Sequence, residues 1–260
     1  MVMTGPGTVP KGHRYGRRGG TGTAMGAVAG RAPLWAPWRT GTIMIGAPTW
    51  PGPDVERGPT ALTSFLIDLS PLDMQRRLSD ALSVYVDAMS YPRGTEDQRA
   101  SMWLEHTRRF GWRAVAAVKA DTETTEPSDA EQLAAAPLLG VAYGYRGAPD
   151  QWWQQQVSRG LHRIGFPRDQ SARLMSDYFE LTELHIHPSA QGRGLGEALA
   201  RRLLADRGEA NVLLSTPELN GEDNRAWRLY RRLGFADIIR DYHFAGDPRA
   251  FAILGRPLPL

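Results

Sequence analysis

The sequence predicts an α/β (α+β) fold in which helices flank a sheet. Two segments carry this prediction. Residues 184–204 read as a strand, a glycine-rich turn and an amphipathic helix. Residues 211–216 form a short apolar run, and the segment NRAWRLYRRLGF at residues 224–235 follows as a second helix. The order strand, helix, strand, helix is that of a layered domain with one hydrophobic core.

Composition divides the 260-residue chain into two parts. Residues 1–60 contain 13 of the 28 glycines and 8 of the 19 prolines. They carry a net charge of +5 against +3 for the whole chain, which leaves −2 for residues 61–260. Because such a Gly/Pro/Arg-rich segment buries little apolar surface, we predict a largely disordered extension at residues 1–60 and a folded domain at residues 61–260. The negative domain argues against nucleic acid as a partner.

Several classes of protein are excluded by what the sequence lacks. The chain has no cysteine, so disulfides, thiolate metal sites and a cysteine acyl-enzyme are ruled out. No apolar run approaches the length of a transmembrane helix, and no segment near the N-terminus has the form of a secretory signal. We therefore expect a cytoplasmic protein without a membrane partner, acting as a monomer or a homodimer.

The first half of the domain reads as a strand, two helices and two further strands. The predicted bounds are a strand at 61–69, a helix at 72–88, a helix at 95–110 capped by Thr95, a strand at 112–120, a loop at 121–132 and a strand at 138–146. Leu78, Leu82, Tyr85 and Met89 share one face of the first helix.

In the strand predicted at residues 179–187, the alternation of apolar and polar residues changes phase. Phe179 and Leu181 are apolar at odd positions, whereas Leu184 and Ile186 are apolar at even positions. One extra residue near positions 182–183, a β-bulge, restores a single apolar face. The bulge then turns three polar side chains to the other face, namely Glu180, Glu183 and His185.

The turn after this strand has the features of a phosphate site. Gly192, Gly194 and Gly196 lie at the start of a helix, where backbone N–H groups are unpaired and the helix dipole is positive. The spacing G-x-G-x-G excludes a dinucleotide fingerprint, and the chain has no P-loop. A turn that binds nothing is the alternative, although glycines at a helix start cost stability.

Two motifs resemble those of the GNAT N-acetyltransferase superfamily. Q-x-x-G-x-G at residues 191–196 resembles its acetyl-CoA signature, and A-x-x-L-Y-x-x-x-G-F at residues 226–235 resembles a later helix. The resemblance implies a central mixed, mostly antiparallel sheet, splayed at the acetyl-CoA strand. It implies direct acetyl transfer from acetyl-CoA to a primary amine. The Arg- and Ala-rich, Lys-poor composition is typical of actinobacteria.

The resemblance also implies the residues that contact acetyl-CoA. They are Leu184, His185, Ile186, Gln191, Gly192, Arg193, Gly194, Leu195, Gly196 and Asn224. The asparagine that the family places on the later helix falls at Asp223, one residue before Asn224. Arg193 is either a phosphate contact or a surface arginine.

Catalytic roles are implied for a base and an acid. An amine is protonated near pH 7 and needs a base, for which Glu180 and Glu183 are the two candidates. The alternative for each of them is a solvent-facing strand residue. Tyr230 matches the family tyrosine that protonates the leaving thiolate, the alternative being a core tyrosine. His185 and His187 have no evident third ligand, so no metal is expected.

Other assignments stay open at this point. The acceptor amine is a protein lysine, a protein N-terminus or a small molecule. A segment at residues 147–177 interrupts the family pattern, and its apolar residues at helical spacing predict an extra helix. Three roles are open for this helix: it covers the acceptor site, forms a dimer contact or only adds to the packing of the domain. A non-catalytic acyl-CoA-sensing module is the alternative function, and nucleic-acid binding through the basic extension is a third.

Overall fold

The computed structural model describes residues 64–119, 135–218 and 224–260, which form one sheet flanked by helices. The strands are β1 Ser64–Leu69, β2 Arg113–Lys119, β3 Leu138–Arg146, β4 Tyr178–Ile186, β5 Asn211–Pro217, β6 Ala236–Tyr242 and β7 Phe251–Pro257. The helices are α1 Pro71–Arg76, α2 Leu78–Met89, α3 Thr95–His106, α4 Trp152–Arg163, α5 Arg168–Ser176, α6 Leu195–Leu204 and α7 Arg225–Arg232. The predicted extension at 1–60 and loop at 121–132 lie outside the described residues.

The described strands have the order β1-β2-β3-β4-β5-β7-β6. Every neighbouring pair is antiparallel except β4 and β5, which are parallel. The predicted mixed, mostly antiparallel sheet is therefore confirmed. The pairing of β4 with β5 ends at Glu180 and Leu213, while β5 continues along β7 to Pro217. The two strands diverge beyond Glu180, and a wedge opens between them.

The predicted bulge in β4 is confirmed. Its register against β3 passes from Tyr143 opposite Glu183 to Gly144 opposite Leu181, which leaves Thr182 without an opposite residue. The apolar residues of β4 therefore share one face, where Phe179 and Leu181 pack with α6 and α7. The polar residues of β4 face the other side.

Helices cover both faces of the sheet. On one face, α6 and α7 pack on the apolar side of β4 and its neighbours. On the other face, α2 and α3 cover β2 and β3, and α4 and α5 cover β5, β6 and β7. The segment at residues 147–177 is thus part of the core, and α4 lies on the same face as α3.

Four local predictions are corrected, and strand β7 is added to the predicted elements. The helix predicted at 72–88 starts at Pro71 with a reciprocal capping box of Ser70 and Asp73 and is divided at Arg77, whose backbone leaves the helical conformation at φ −100° and ψ 12°. Thr95 does not cap α3; its hydroxyl donates to the Pro92 carbonyl at 2.7 Å, and α3 ends at His106. The segment at 147–177 forms two helices rather than one. Strand β7, which sequence analysis did not identify, lies between β5 and β6.

Candidate active site at the divergence of two strands

Two cavities meet at β4. A cavity of about 490 Å³ opens beside the glycine-rich turn, and a cavity of about 850 Å³ lies along the wedge and the polar face of β4. Both are lined by Leu184, His185 and Asn224. The two spaces therefore adjoin where β4 leaves β5, with the glycine turn on the smaller cavity and the glutamates of β4 on the larger one.

The three glycines of the turn serve different purposes. Gly192 and Gly194 have φ of 79° and 80°, in the left-handed region that favours glycine. A Cβ on Gly196 would lie 3.1 Å from the Leu229 side chain, so this glycine permits α6 and α7 to pack closely. Since the first intrahelical bond of α6 is from the Ala198 N–H to the Gly194 carbonyl, the preceding N–H groups have no intrahelical partner.

The side chain of Gln191 holds the turn in place. Its Nε2 donates to the Ile186 carbonyl at 3.0 Å, and its Oε1 accepts from Arg225 at 2.5 Å. The turn is therefore tied to both β4 and α7. Leu195 is buried beneath it, whereas Arg193 is exposed and is not among the residues that line either cavity.

Positive charge near the turn comes from α7. Three arginines of this helix line the smaller cavity: Arg225, Arg228 and Arg232. Sequence analysis missed them, although their spacing within RAWRLYRR places them on adjacent turns of a helix. Asn224 lines both cavities, and its Oδ1 accepts from the Trp227 N–H at 2.9 Å, so it is the N-cap of α7.

Glu180 lies at the floor of the larger cavity. It is 4% exposed, and its Oε2 is buried without a hydrogen-bond partner. Its Oε1 accepts from the Tyr145 hydroxyl at 3.3 Å, and that hydroxyl accepts from Arg109 at 2.7 Å. Burial raises the pKa of Glu180 to about 8, and the charge of Arg109 opposes this rise.

Glu183 differs from Glu180 in having an ion-pair partner on its own strand. One carboxylate oxygen lies 2.5 Å from Nε2 of His185. The His185 ring contacts Tyr85 edge-on at 4.9 Å between centroids and stacks on Trp103. The second histidine of the pair, His187, bonds instead to Ser189. Among residues 64–119, 135–218 and 224–260, no group of three or more His, Cys, Asp or Glu side chains is arranged to hold a metal.

Tyr230 extends from α7 to the larger cavity. Its ring is buried against Phe235 at 5.6 Å between centroids. Burial raises the pKa of the Tyr230 hydroxyl above its ordinary value, and the charge of Glu183 adds to this effect. The phenol is therefore protonated at neutral pH.

The structure adds residues that no motif indicated. Arg109 and Tyr145 reach Glu180, and His106 packs against the Tyr145 ring at 5.1 Å between centroids. Burial lowers the pKa of His106 to about 4, so it is neutral at pH 7. The one signal in the sequence was the position of Tyr145 on the strand that precedes β4, which becomes informative only once the register places it opposite Glu180.

Comparison with known proteins assigns the chain to a family. Residues 159–237 match the family model described as "Acetyltransferase (GNAT) domain". The chain is 74% identical over 203 residues to the GCN5-like protein acetyltransferase Rv2170 of Mycobacterium tuberculosis, a match that covers 75% of this chain and 98% of the relative. The chain therefore belongs to the GNAT acetyltransferase family.

Solved structures similar to this chain include other acetyltransferases. A GNAT-family acetyltransferase of Bacillus cereus is 11% identical with a TM-score of 0.46, over 76% of this chain and 99% of that one. The ribosomal-protein-S18-alanine N-acetyltransferase of Escherichia coli is 18% identical with a TM-score of 0.45, over 76% and 96%. Within the described part of the chain, no helix is both long and apolar enough to cross a membrane.

Proposed function

We propose that residues 61–260 form an N-acetyltransferase domain that transfers the acetyl group of acetyl-CoA to a primary amine of a protein. The observation that carries the proposal is the buried carboxyl group of Glu180, whose Oε2 has no hydrogen-bond partner, in the lining of a cavity that adjoins the cavity of the glycine turn. Such a carboxyl group is placed to accept a proton from an amine brought to the wedge. The relative from M. tuberculosis is named as a protein acetyltransferase, which favours a lysine or N-terminus of a protein as the acceptor.

The smaller cavity fits the diphosphate end of acetyl-CoA. No heavy atom lies within 4 Å of a Cβ built on Gly192 or Gly194, so a phosphate has room to approach the backbone. The unpaired N–H groups at the start of α6 and the arginines of α7 supply donors and positive charge. The pantetheine arm would then follow the wedge past Leu184, His185 and Ile186, where β4 no longer pairs with β5.

Glu180 is the base that the structure favours over Glu183. Oε2 of Glu183 lies 2.5 Å from Nε2 of His185, whereas Oε2 of Glu180 has no hydrogen-bond partner. A pKa of about 8 is close to the pH at which such a group would work, which suits proton transfer from an ammonium group. Glu183, through its contact with His185, shapes the cavity wall beside the wedge.

The chemistry balances with two groups of the chain. The ammonium group of the acceptor first gives one proton to Glu180. The neutral amine nitrogen then forms a bond to the acetyl carbon, the carbon–sulfur bond breaks, and the second nitrogen proton replaces the one that Tyr230 gives to the sulfur. The thiolate that leaves takes a proton from the Tyr230 hydroxyl, which is buried, protonated and on the same cavity. N–H groups on the unpaired edge of β4 would hold the oxyanion.

The test combines binding with turnover. Acetyl-CoA is titrated calorimetrically into the protein, and acetylation of a lysine peptide is followed for the wild type, Glu180→Gln and Glu105→Gln. We expect E180Q to bind acetyl-CoA normally and to lose about 100-fold in kcat. E105Q makes the same chemical change at an exposed carboxylate beside Arg109 and should retain activity.

Two results would contradict the proposal. Wild-type activity in E180Q would remove Glu180 as the base. Tight acetyl-CoA binding without turnover of any amine would favour the alternative, a non-catalytic acyl-CoA-sensing module.

A further inference from the structure

The larger cavity has a wall on each side of the glutamates of β4. One wall is α3, which contributes Arg99 and Met102, and the other begins at α4, which contributes Trp152 and Trp153. Both helices lie on the face of the sheet opposite α6 and α7. If acetyl-CoA occupies the glycine turn, as proposed above, the acceptor approaches from this opposite face, between α3 and α4.

The charges on this cavity are unequally compensated. Among the described residues, three arginines and three carboxylates line it: Arg99, Arg109, Arg249, Glu180, Glu183 and Asp247. Arg249 makes a two-pronged ion pair with Asp247, at 2.9 and 2.6 Å, and also donates to the Tyr91 hydroxyl. Arg109 donates to the Tyr145 hydroxyl on the floor and lies 3.9 Å from the carboxylate of Glu105. Neither of these two arginines therefore offers an unsatisfied charge to an acceptor.

Arg99 is the exception. Its one polar contact within the described residues is to the Met102 sulfur at 3.9 Å, and no described carboxylate lies within 4 Å of it. Its charge nevertheless reaches both sides of the cavity. On one side is Asp247, whose pKa is lowered mainly by its hydrogen bond to Arg249 and further by the charge of Arg99. On the other side is Tyr85, whose pKa is raised by burial, and the charge of Arg99 opposes that rise. A partly exposed guanidinium without a counterion favours a carboxylate, which it binds through two parallel hydrogen bonds.

Trp152 supplies an apolar platform on the α4 wall of the same cavity. It is 51% exposed although it lines the cavity, and its ring lies against Phe244 at 5.5 Å between centroids. A large exposed aromatic ring held by a second ring is suited to pack against the aliphatic part of an entering segment. This wall comes from the segment at residues 147–177, so the segment helps to shape the acceptor site.

We infer that the acceptor is a lysine within an acidic protein segment: the lysine stem enters between Trp152 and α3, and Arg99 pairs with a carboxylate next to the lysine. The inference rests on the proposed function, since it assigns the acceptor of the same site. It makes Arg99 and Trp152 the residues that determine acceptor specificity, separate from the base on β4.

The test uses peptides that differ only in charge. With acetyl-CoA saturating, acetylation is measured on three peptides whose single lysine is flanked by Asp, Ser or Arg, and on free Nα-acetyl-lysine. We expect kcat/KM to be about fivefold higher for the Asp-flanked peptide than for the Ser-flanked one. Arg99→Gln should remove this preference through KM with kcat unchanged, and Arg99→Glu should favour the Arg-flanked peptide.

Matched controls separate this effect from general damage. Arg108→Gln changes an exposed arginine just beyond the end of α3 that does not line the cavity, and it should keep the acidic preference. Trp152→Ala should raise KM for every peptide regardless of charge, whereas Phe110→Ala, at another exposed aromatic residue, should not.

The outcomes distinguish this inference from the proposed function. Equal rates on the three peptides, an acidic preference that persists in R99Q, or better turnover of free Nα-acetyl-lysine would overturn the inference and leave acetyl transfer standing. Failure to acetylate any peptide, with acetyl-CoA still bound, would overturn the lysine acceptor and the inference with it.

Discussion

At the residue scale, the properties of Glu180 depend on side chains far from it in sequence. The carboxyl group lies opposite Tyr145 across the β3–β4 pair, and Tyr145 is in turn held by Arg109 of the segment after α3. Burial raises its pKa and Arg109 lowers it. The net value of about 8 is therefore set by a balance between desolvation and one nearby cation.

This balance predicts how Arg109 affects the pH dependence of the reaction. The base acts in its ionised form, so kcat should rise with pH and level off above about 8 in the wild type. Arg109→Met removes the opposing charge while keeping a stem on Tyr145, and the midpoint should move to higher pH. Measured kcat between pH 6 and 10 tests this, with Arg108→Met as the control. An unchanged midpoint in R109M would mean that Arg109 has only a structural role.

The same carboxyl group predicts a pH dependence of stability. Its folded-state pKa of about 8 lies above the ordinary value of 4.5, so the folded protein binds more protons than the unfolded chain between these two values. The free energy of unfolding should therefore fall as pH rises from about 4.5 to 8. Each pKa unit of this difference corresponds to about 1.4 kcal/mol. Because glutamine cannot ionise, Glu180→Gln should be more stable than the wild type at pH 8.5, with little difference at pH 4.5. Urea unfolding at both pH values measures this, and equal differences at the two would contradict it.

At the scale of elements, the glycine turn could be predicted from the sequence because its backbone conformation depends on a few neighbouring residues. Gly192 and Gly194 take a positive φ, and the pattern Q-x-x-G-x-G records that requirement at Gly194. The bulge in β4 was also readable, since it appears as a change of phase over nine residues. Both features follow from backbone sterics and side-chain alternation, which act between near neighbours.

The turn predicts different outcomes for two matched glycine substitutions. Gly194 and Gly165 have φ of 80° and 72°, and no heavy atom lies within 4 Å of a Cβ at either position. Alanine at each should lower the free energy of unfolding by about 1 kcal/mol through backbone strain. Gly194→Ala alone should raise KM for acetyl-CoA, which steady-state kinetics measures. An equal rise in Gly165→Ala would show that strain, and not the site, accounts for the change.

At the scale of the whole molecule, the segment at residues 147–177 belongs to the core. Val157 and Leu161 of α4 pack with Leu213 of β5 and Ile253 of β7. Gly160 permits this contact, because a Cβ there would lie 2.7 Å from the Tyr242 ring. The segment therefore stabilises one half of the sheet and also places Trp152 on the larger cavity.

This packing predicts a difference between two apolar residues of the segment. Leu161 is fully buried, so Leu161→Ala should lower the free energy of unfolding by about 2–5 kcal/mol. Ile164 is 52% exposed, and Ile164→Ala should change it by less than about 0.5 kcal/mol. Denaturant unfolding of both variants tests this. A small loss in L161A would mean that the segment is not integral to the folded core.

The sequence by itself determined the fold class, the position of the glycine turn, the bulge and a short set of candidate catalytic residues. These follow from periodicity, glycine spacing and a family motif, each confined to a segment of about twenty residues. The structure decided which glutamate has an unsatisfied oxygen, which arginines line the cavities and what the segment at 147–177 covers. Those properties depend on burial and on partners such as Tyr145 and Glu180, which lie 35 positions apart and meet only when the sheet forms.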